Sequence, residues 1–437
     1  MRFYHPFCLI LFSAILLLSN SAESLAITEI DLDEAIRLAI ENSEILKAKK
    51  EKVEADNAGV RIAFSNFLPN LRFDTTAART GGLEIVRPPL EVETQQDVNS
   101  FEFGLKAQQT IFSGFRGLFD YKGARASRDA SEMNVENEKQ RLSLEVQGAF
   151  YQLLLTEQEI QAALLQRNLL KKELPGVRDR FEKKEISELE LLAFEVDYAD
   201  SESLLLELQD SDQTQKMAFS SLLGKPGLTD FRLKGTLEPI PLSGSSEELV
   251  KAAFQQRADL KGSRLSLDQL GYQVKSSYSD FLPVINLGAS YGFSQQSLLD
   301  DKDYDEFWRI HATLSMPLFD GLASIAKLNR AKALRTAQER ELTHLERDIA
   351  LSVRKAYDKV EGSRRQIQYT SKSASSLERF FHILQKEYEE KKVDPSDYSG
   401  ALSAQTKAKN AHLKALYTYQ TAKIDLARAI GDAHAFR

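Results

Sequence analysis

Cysteine is almost missing from this 437-residue chain: the one copy, Cys8, sits inside an apolar run near the N-terminus. Downstream of that run, disulfides and cysteine-ligated metal are excluded. Histidine is also scarce. Of six, His5 lies in the same leader, and His311, His344, His382, His412 and His434 follow no ligand spacing, so no metal site is expected. There is no glycine-rich phosphate loop, no nucleophile elbow and no zinc-binding helix motif, which argues against an enzyme and against a cofactor. The formal charge of −7 comes with no basic patch, so nucleic acid is not an expected partner.

Long apolar runs are missing too. The longest is the leader, where Arg2, an apolar core from Phe7 to Leu18 and the small-residue ending Ser24-Leu25-Ala26 predict a secretory signal over residues 1–26, cleaved before Ile27. A core of 12 residues is short of the roughly 20 that span a bilayer as a helix. Removing the leader takes one charge of each sign, Arg2 and Glu23, and leaves the charge at −7. If the exported chain enters a membrane, it does so as β-strands.

What the chain does contain is a copy of itself. Phe64-Ser65-Asn66-Phe67-Leu68-Pro69 is echoed by Tyr278-Ser279-Asp280-Phe281-Leu282-Pro283, at an offset of 214. From Phe112-Ser113-Gly114 and Phe319-Asp320-Gly321 onward the offset settles at 207 and persists to Gly224 and Gly431. A period this long is far above the roughly 20–50 residues of solenoid repeats, so it marks two large equivalent halves. The expected division is residues 27–224, a Pro/Gly-rich linker over 225–244, and residues 245–437.

Each half reads in the same order. A helix of about 34 residues, Asp31 to Phe64 or Ser245 to Tyr278, ends at a proline, Pro69 or Pro283, where the fixed φ and missing N–H stop helical pairing. After each proline the period changes to two. The alternation predicts strands at about 71–80 and 101–112 in the first half and about 284–293 and 307–318 in the second. Strands of ~9–11 residues with one apolar and one polar face suit a bilayer, although a half-buried soluble sheet alternates in the same way. Four strands cannot close a membrane barrel, because an open edge in hydrocarbon leaves backbone groups unsatisfied. Several chains would have to pool them.

The connections at 80–100 and 295–306 are polar, the first with Pro88-Pro89 and the second with Asp300, Asp301, Asp303, Asp305 and Glu306. The acidic run lacks the glycine and closing glutamate of an EF-hand and is expected to be a solvated loop. Very long helices follow the strands. From Leu322 to Lys392 there is no proline, and Leu342, Leu345, Ile349, Val353, Ala356, Val360 and Ile367 step by three and four, the seam of a helix packed on other helices. The matching helix, about Phe115 to Glu185, contains Pro175, where a kink or break is expected. Tight reversals at Glu185-Ile186-Ser187 and Val393-Asp394-Pro395 lead to a last helix in each half, about Ser187–Leu223 and Pro395–Ile430, with Gly224 and Gly431 placed as C-caps.

This order, the two FLP-type junctions, the exits Ile111-Phe112-Ser113-Gly114 and Leu318-Phe319-Asp320-Gly321 and the reversal from Tyr388 to Ser399 resemble the TolC family of outer-membrane efflux proteins over essentially the whole mature chain. The resemblance implies a mainly α fold with membrane β: a homotrimer sharing one 12-stranded barrel that continues into a long periplasmic α-helical tunnel. It implies an outer-membrane location with a large periplasmic part, and a passive exit duct for drug efflux or type I secretion. The implied partners are a periplasmic adaptor (a membrane fusion protein) and an inner-membrane transporter of the RND, ABC or MFS type. It further implies a gate at the periplasmic entrance. Asp397 matches the first of two acidic gate positions, Gly400 stands at the second, and the 207 offset brings Glu190 into equivalence with Asp397. Tyr388 aligns with the gate-holding tyrosine, whereas the arginine usually five residues on is Val393. The reversals, Lys184-Glu185-Ile186-Ser187 and Lys392-Val393-Asp394-Pro395, are the implied docking tips for the adaptor. The competing reading is an exported periplasmic coiled-coil scaffold without a pore, which leaves the four strands without a role.

Overall fold

The structure is a computed structural model, and it describes residues 28–86, 93–240, 242, 244–297 and 304–435. The expected signal segment, Pro88-Pro89, Asp300, Asp301 and Asp303 lie outside the described residues. The first half runs β1 (Thr28–Asp31), α1 (Leu32–Asn42), α2 (Glu44–Ser65), β2 (Asn70–Val86), β3 (Glu93–Ser113), α3 (Arg116–Glu182) and α4 (Glu188–Leu222). A short strand, β4 (Phe231–Lys234), lies in the expected linker. The second half runs α5 (Ser246–Gln256), α6 (Ala258–Tyr278), a single 3-10 turn, β5 (Val284–Ser297), β6 (Asp305–Ser315), α7 (Ala323–Glu389) and α8 (Pro395–Ile430).

Where one opening helix was expected in each half, there are two. Ser43 and Arg257 take extended backbone, with ψ of 111° and 121°. At the first break the Ser43 hydroxyl accepts from Leu46 N (3.2 Å) and caps α2, while Asn42 Nδ2 donates to the carbonyl of Leu223 (3.0 Å) at the end of α4. At the second, Arg257 donates to the carbonyl of Ala429 (2.8 Å) at the end of α8 and pairs with Asp259. The helices break so that their first segments can satisfy orphan carbonyls of the long hairpins. The glycines there are required by both backbone and space. Gly224 (φ 69°) and Gly431 (φ 78°) are left-handed, and a Cβ would come within 2.4 Å of Asn42 Cβ and 2.6 Å of Arg257 Cγ.

The helices α3 and α7 are 67 residues each, about 100 Å at 1.5 Å per residue. Each begins after two consecutive left-handed residues, Gly114-Phe115 and Gly321-Leu322, which turn the chain from strand to helix. Of the kink or break expected at Pro175, there is no break: α3 runs on through it to Glu182. Pro175 and Lys171, whose carbonyl loses its helical donor, are both exposed, so water can take the place of the missing N–H. Apolar side chains fill the spaces between the helices. Leu142, Val146, Phe150 and Leu153 of α3 pack with Ile36, Phe219 and Phe231 in one cluster. Ile349, Val353, Ala356 and Val360 of α7 pack with Val250, Leu260, Tyr419 and Leu426 in another, with Leu342, Leu345 and Ile367 at its margin. The parallel pair β1–β4 closes the first cluster.

The other four strands form one antiparallel sheet in the order β2-β3-β5-β6. Pro69 and Pro283 immediately precede β2 and β5. The first hairpin is longer than the alternation suggested, with the ladder continuing through residues expected to be loop and shifting register between Thr80 and Leu83. Beyond Thr80 the Gly81-Gly82 pair interrupts the alternation in sequence, while the hydrogen-bonded ladder continues. Strand β6 stops at Ser315, three residues early, because Pro317 has no N–H to give. The Ser279 hydroxyl donates to the carbonyl of Gly114 (2.6 Å), and Arg116 pairs with Asp280, so the second junction is bolted to the first strand exit.

Candidate functional site

Two regions carry the candidate residues: the sheet at one end of the long helices and the paired reversals at the other. In the sheet, register aligns side chains in rows. Phe73, Leu105, Tyr291 and Trp308 share one row and Leu71, Ala107, Ala289 and Ile310 the next, on one face. Leu71, Phe73, Trp308 and Ile310 are at least 65% exposed, so this face is an open apolar belt. The opposite face carries Arg72, Lys106, Ser290 and Arg309 in one row and Asn70, Gln108, Gly288 and His311 in another. Its His311 imidazole lies flat over Gly288. The outer edges of β2 and β6 have no strand partner among the described residues. No described helix is long and apolar enough to cross a membrane.

At the far end, α3 and α7 terminate in the same device. Glu185 N bonds to Arg180 O (2.9 Å) and Lys184 N to Phe181 O (2.8 Å); Lys392 N bonds to Glu387 O (2.9 Å) and Lys391 N to Tyr388 O (2.9 Å). These are Schellman closures, and the left-handed residue, usually glycine, is lysine in both: Lys184 (φ 60°) and Lys391 (φ 58°). The next helices start differently. Ser187 and Glu190 form a capping box, Glu190 N donating to Ser187 Oγ (3.3 Å) and Ser187 N to Glu190 Oε2 (2.5 Å). The second starts with Pro395 at its first turn. The backbone N–H and hydroxyl of Ser187 hold the Glu190 carboxyl below the usual carboxylate range.

The two reversals lie side by side, with Lys391 Nζ 3.6 Å from Glu185 Oε2. Tyr388 stacks on Tyr398 at 4.4 Å between ring centroids and 19° between planes, and Phe381 meets Tyr398 at 5.5 Å with its ring tilted by 43°. Burial pushes the Tyr388 phenol up, helped by the charge of Glu173 and opposed by Arg180. Burial, Glu173 and Tyr388 push Tyr398 up to about 12. The Ser399 hydroxyl donates to Asp197 Oδ2 (2.5 Å), joining α8 to α4.

Of the expected gate residues, Tyr388 is half-buried in this cluster, Glu190 is engaged in its cap, and Asp397 is exposed in the first turn of α8. No hydrogen bond or ion pair joins Asp397 to the other two. Of the expected docking residues, Ile186 and Pro395 turn inward, while Lys184, Glu185, Ser187, Lys392 and Asp394 are exposed. The sequence reading missed Tyr398 and Arg180. Tyr398 could have been found by folding the chain antiparallel about the second reversal, which sets it opposite Tyr388. Arg180 could not, because it reaches Tyr388 from the other half and its own repeat counterpart is Glu387.

A sequence model of the family "Outer membrane efflux protein" matches residues 35–225 and 249–432. The alkaline protease secretion protein AprF of Pseudomonas aeruginosa is 23% identical over 427 residues, spanning 94% of this chain and 86% of that one. The pyoverdine export outer membrane protein OpmQ of Pseudomonas putida is 24% identical over 375 residues, spanning 82% and 76%. The crystal structure of the Campylobacter jejuni CmeC outer membrane channel superposes with a TM-score of 0.78 at 20% identity, over 93% of this chain and 86% of that one.

Proposed function

Since the chain belongs to the outer membrane efflux protein family, an outer-membrane exit duct with a periplasmic part, we propose that three copies assemble to form the duct. The observation that carries this is the sheet. It has four strands, an exposed apolar belt on one face, a polar opposite face and two unpaired edges. In hydrocarbon each unpaired edge group costs several kcal/mol, so the sheet is stable only when β6 of one copy pairs with β2 of the next. Three copies give twelve strands, within the range of closed membrane barrels. The helices that leave the sheet reach about 100 Å, long enough to carry the bore well into the periplasm. The scaffold reading leaves the apolar belt exposed to water and is the weaker one.

In this assembly the reversals form the periplasmic entrance. Lys184, Glu185, Ser187, Lys392 and Asp394 present charged and polar groups to a periplasmic adaptor, through which an inner-membrane transporter supplies the energy. Asp397 and Glu190 line the entrance, and Tyr388 holds the second hairpin shut. Pro69 and Pro283 mark where tunnel becomes barrel. The conduit passes cargo and performs no chemistry. The two relatives differ in cargo, a secreted protease for one and pyoverdine for the other by their names, so the transporter partner sets what passes.

The test is single-channel recording of the mature protein in planar bilayers with its mass in detergent. Discrete steps from a particle of three chains support the duct; a monomer without conductance returns the scaffold reading. With channels in hand, Asp397→Ala is expected to raise conductance or weaken block by divalent cations. Unchanged behaviour in both respects removes Asp397 from the gate.

A further inference from the structure

The water-facing side of the sheet is sorted by charge along its length. Nearest the helices the rows are neutral: Thr110 donates to Asn286 Oδ1 (2.8 Å) beside Thr313, and then come Asn70, Gln108, Gly288 and His311. The next row outward is basic on three of its four strands, Arg72 on β2, Lys106 on β3 and Arg309 on β6, with Ser290 between. Acids follow only further out. Asp74 lies one row on, level with Gly104 and Gly292, and Glu102 and Asp305 lie two rows on.

The three bases are not equally occupied. Lys106 Nζ is 3.5 Å from Asp74 and 3.8 Å from Glu102, so its charge is largely offset. Arg72 and Arg309 are exposed, and no ion pair engages them among the described residues. They stand on the two outer strands, β2 and β6, which the duct reading brings together at each seam between copies.

We propose that Arg72 and Arg309 form a basic collar inside the barrel that favours anionic cargo, such as carboxylates, phosphates and sulfonates, as it passes from tunnel to outer face. This rests on the duct reading. In a closed twelve-stranded barrel the strand spacing of ~4.8 Å and a tilt of ~40° give a backbone radius of about 12 Å. Side chains several ångströms long bring the axis within about one Debye length, ~8–10 Å, of the charged groups. Six guanidinium groups, two from each copy, therefore contribute a positive potential over this stretch of the bore. On β2, β3 and β6 the base lies nearer the helices than the acid of the same strand, so on each of them anions are drawn in and cations face a barrier before an acid is reached. Arginine suits the position because it stays protonated at every physiological pH and can fork onto two oxygens of a passing anion.

The experiment measures reversal potential across a potassium chloride gradient for the wild-type channel, the double variant Arg72→Gln/Arg309→Gln and the charge-keeping variant Arg72→Lys/Arg309→Lys. Because the acidic entrance also enters the wild-type ratio, the collar is read from the change: the Gln variant is expected to lose at least about threefold in the chloride-to-potassium ratio relative to wild type, and the Lys variant to retain the wild-type value. Lys106→Gln, which removes an already paired charge, is expected to shift the ratio less. If the double Gln variant does not assemble, the single substitutions read the same effect at about half size. Conducting channels whose ratio is unmoved by losing both arginines overturn the collar while leaving the duct standing. A wild-type protein that never conducts overturns the duct, and the collar with it.

Discussion

The two reversals at the far end of the helices use one backbone device and finish it in different ways. Both close α3 and α7 with a left-handed lysine and the same pair of carbonyl contacts. In the second, Tyr398, Ser399, Ala401 and Leu402 of α8 are buried, with Tyr388 stacked on Tyr398 and Phe381 in contact with it. The first buries Phe194 but leaves Leu189, Leu192 and Val196 of α4 at least half exposed. Both hairpins feed one shared buried cluster, and outside it the first leaves these three exposed on its second helix while the second leaves Phe380 and Ile383 exposed on its first. Repeated backbone geometry therefore does not imply repeated packing.

The substitution expected to break this contrast most sharply is Tyr398→Ala. Deleting a large buried aromatic costs about 3–5 kcal/mol, and here it also unseats Tyr388. Chemical denaturation is expected to show a large loss, together with faster proteolysis at 390–395 than at 183–187. Equal cleavage at both tips means the aromatic cluster does not distinguish them.

A smaller effect is expected at the first tip from Ser187→Ala, which removes the cap hydroxyl and lowers stability by about 1 kcal/mol at neutral pH. The sign with pH follows from Glu190, whose carboxyl is held below its ordinary value in the folded chain. Its contribution is fully present above the ordinary carboxylate pKa and lost as pH falls through the lowered one. The gap between wild type and Ser187→Ala should therefore narrow on acidification, and a gap that stays constant from pH 7 to pH 3 means that Glu190 is not part of the cap energetics.

The smallest change sharpens what the tips share. Lys184→Gly and Lys391→Gly each relieve a left-handed non-glycine residue and are expected to stabilise by no more than about 1 kcal/mol. If melting temperatures fall instead, the lysine side chains hold the tips together. Lys391 is the more informative of the two because of its contact with Glu185.

Much of this architecture is legible locally. Alternation at Leu71, Phe73 and Leu105 and at Ile310, Ala312 and Leu314 announces strands, and the three-four steps from Leu342 to Ile367 announce a packed helix seam. Both signals come from which faces meet apolar surroundings. What escaped depends on contacts between distant parts of the chain. The breaks at Ser43 and Arg257 exist because Asn42 and Arg257 reach carbonyls at the ends of α4 and α8. The unbroken path through Pro175 goes with an exposed position, where the carbonyl that loses its helical donor faces solvent. The tip residues divide in the same way: the reversals follow from short polar turns, whereas the association of Arg180, Tyr388 and Tyr398 joins segments about 200 residues apart.

The short parallel pair of β1 with β4 bears on how such a chain is made. Thr28 meets Phe231, 203 positions later, so the first strand to emerge from an export machine has no partner until about 200 further residues have followed. Closing so long a loop costs little more than closing one half its length, by about 0.6 kcal/mol, but the wait is long. Until Phe231 to Lys234 arrive, Thr28 to Asp31 offer an open strand edge to any other chain in the same compartment, a hazard that begins with synthesis and ends with a single four-residue docking event.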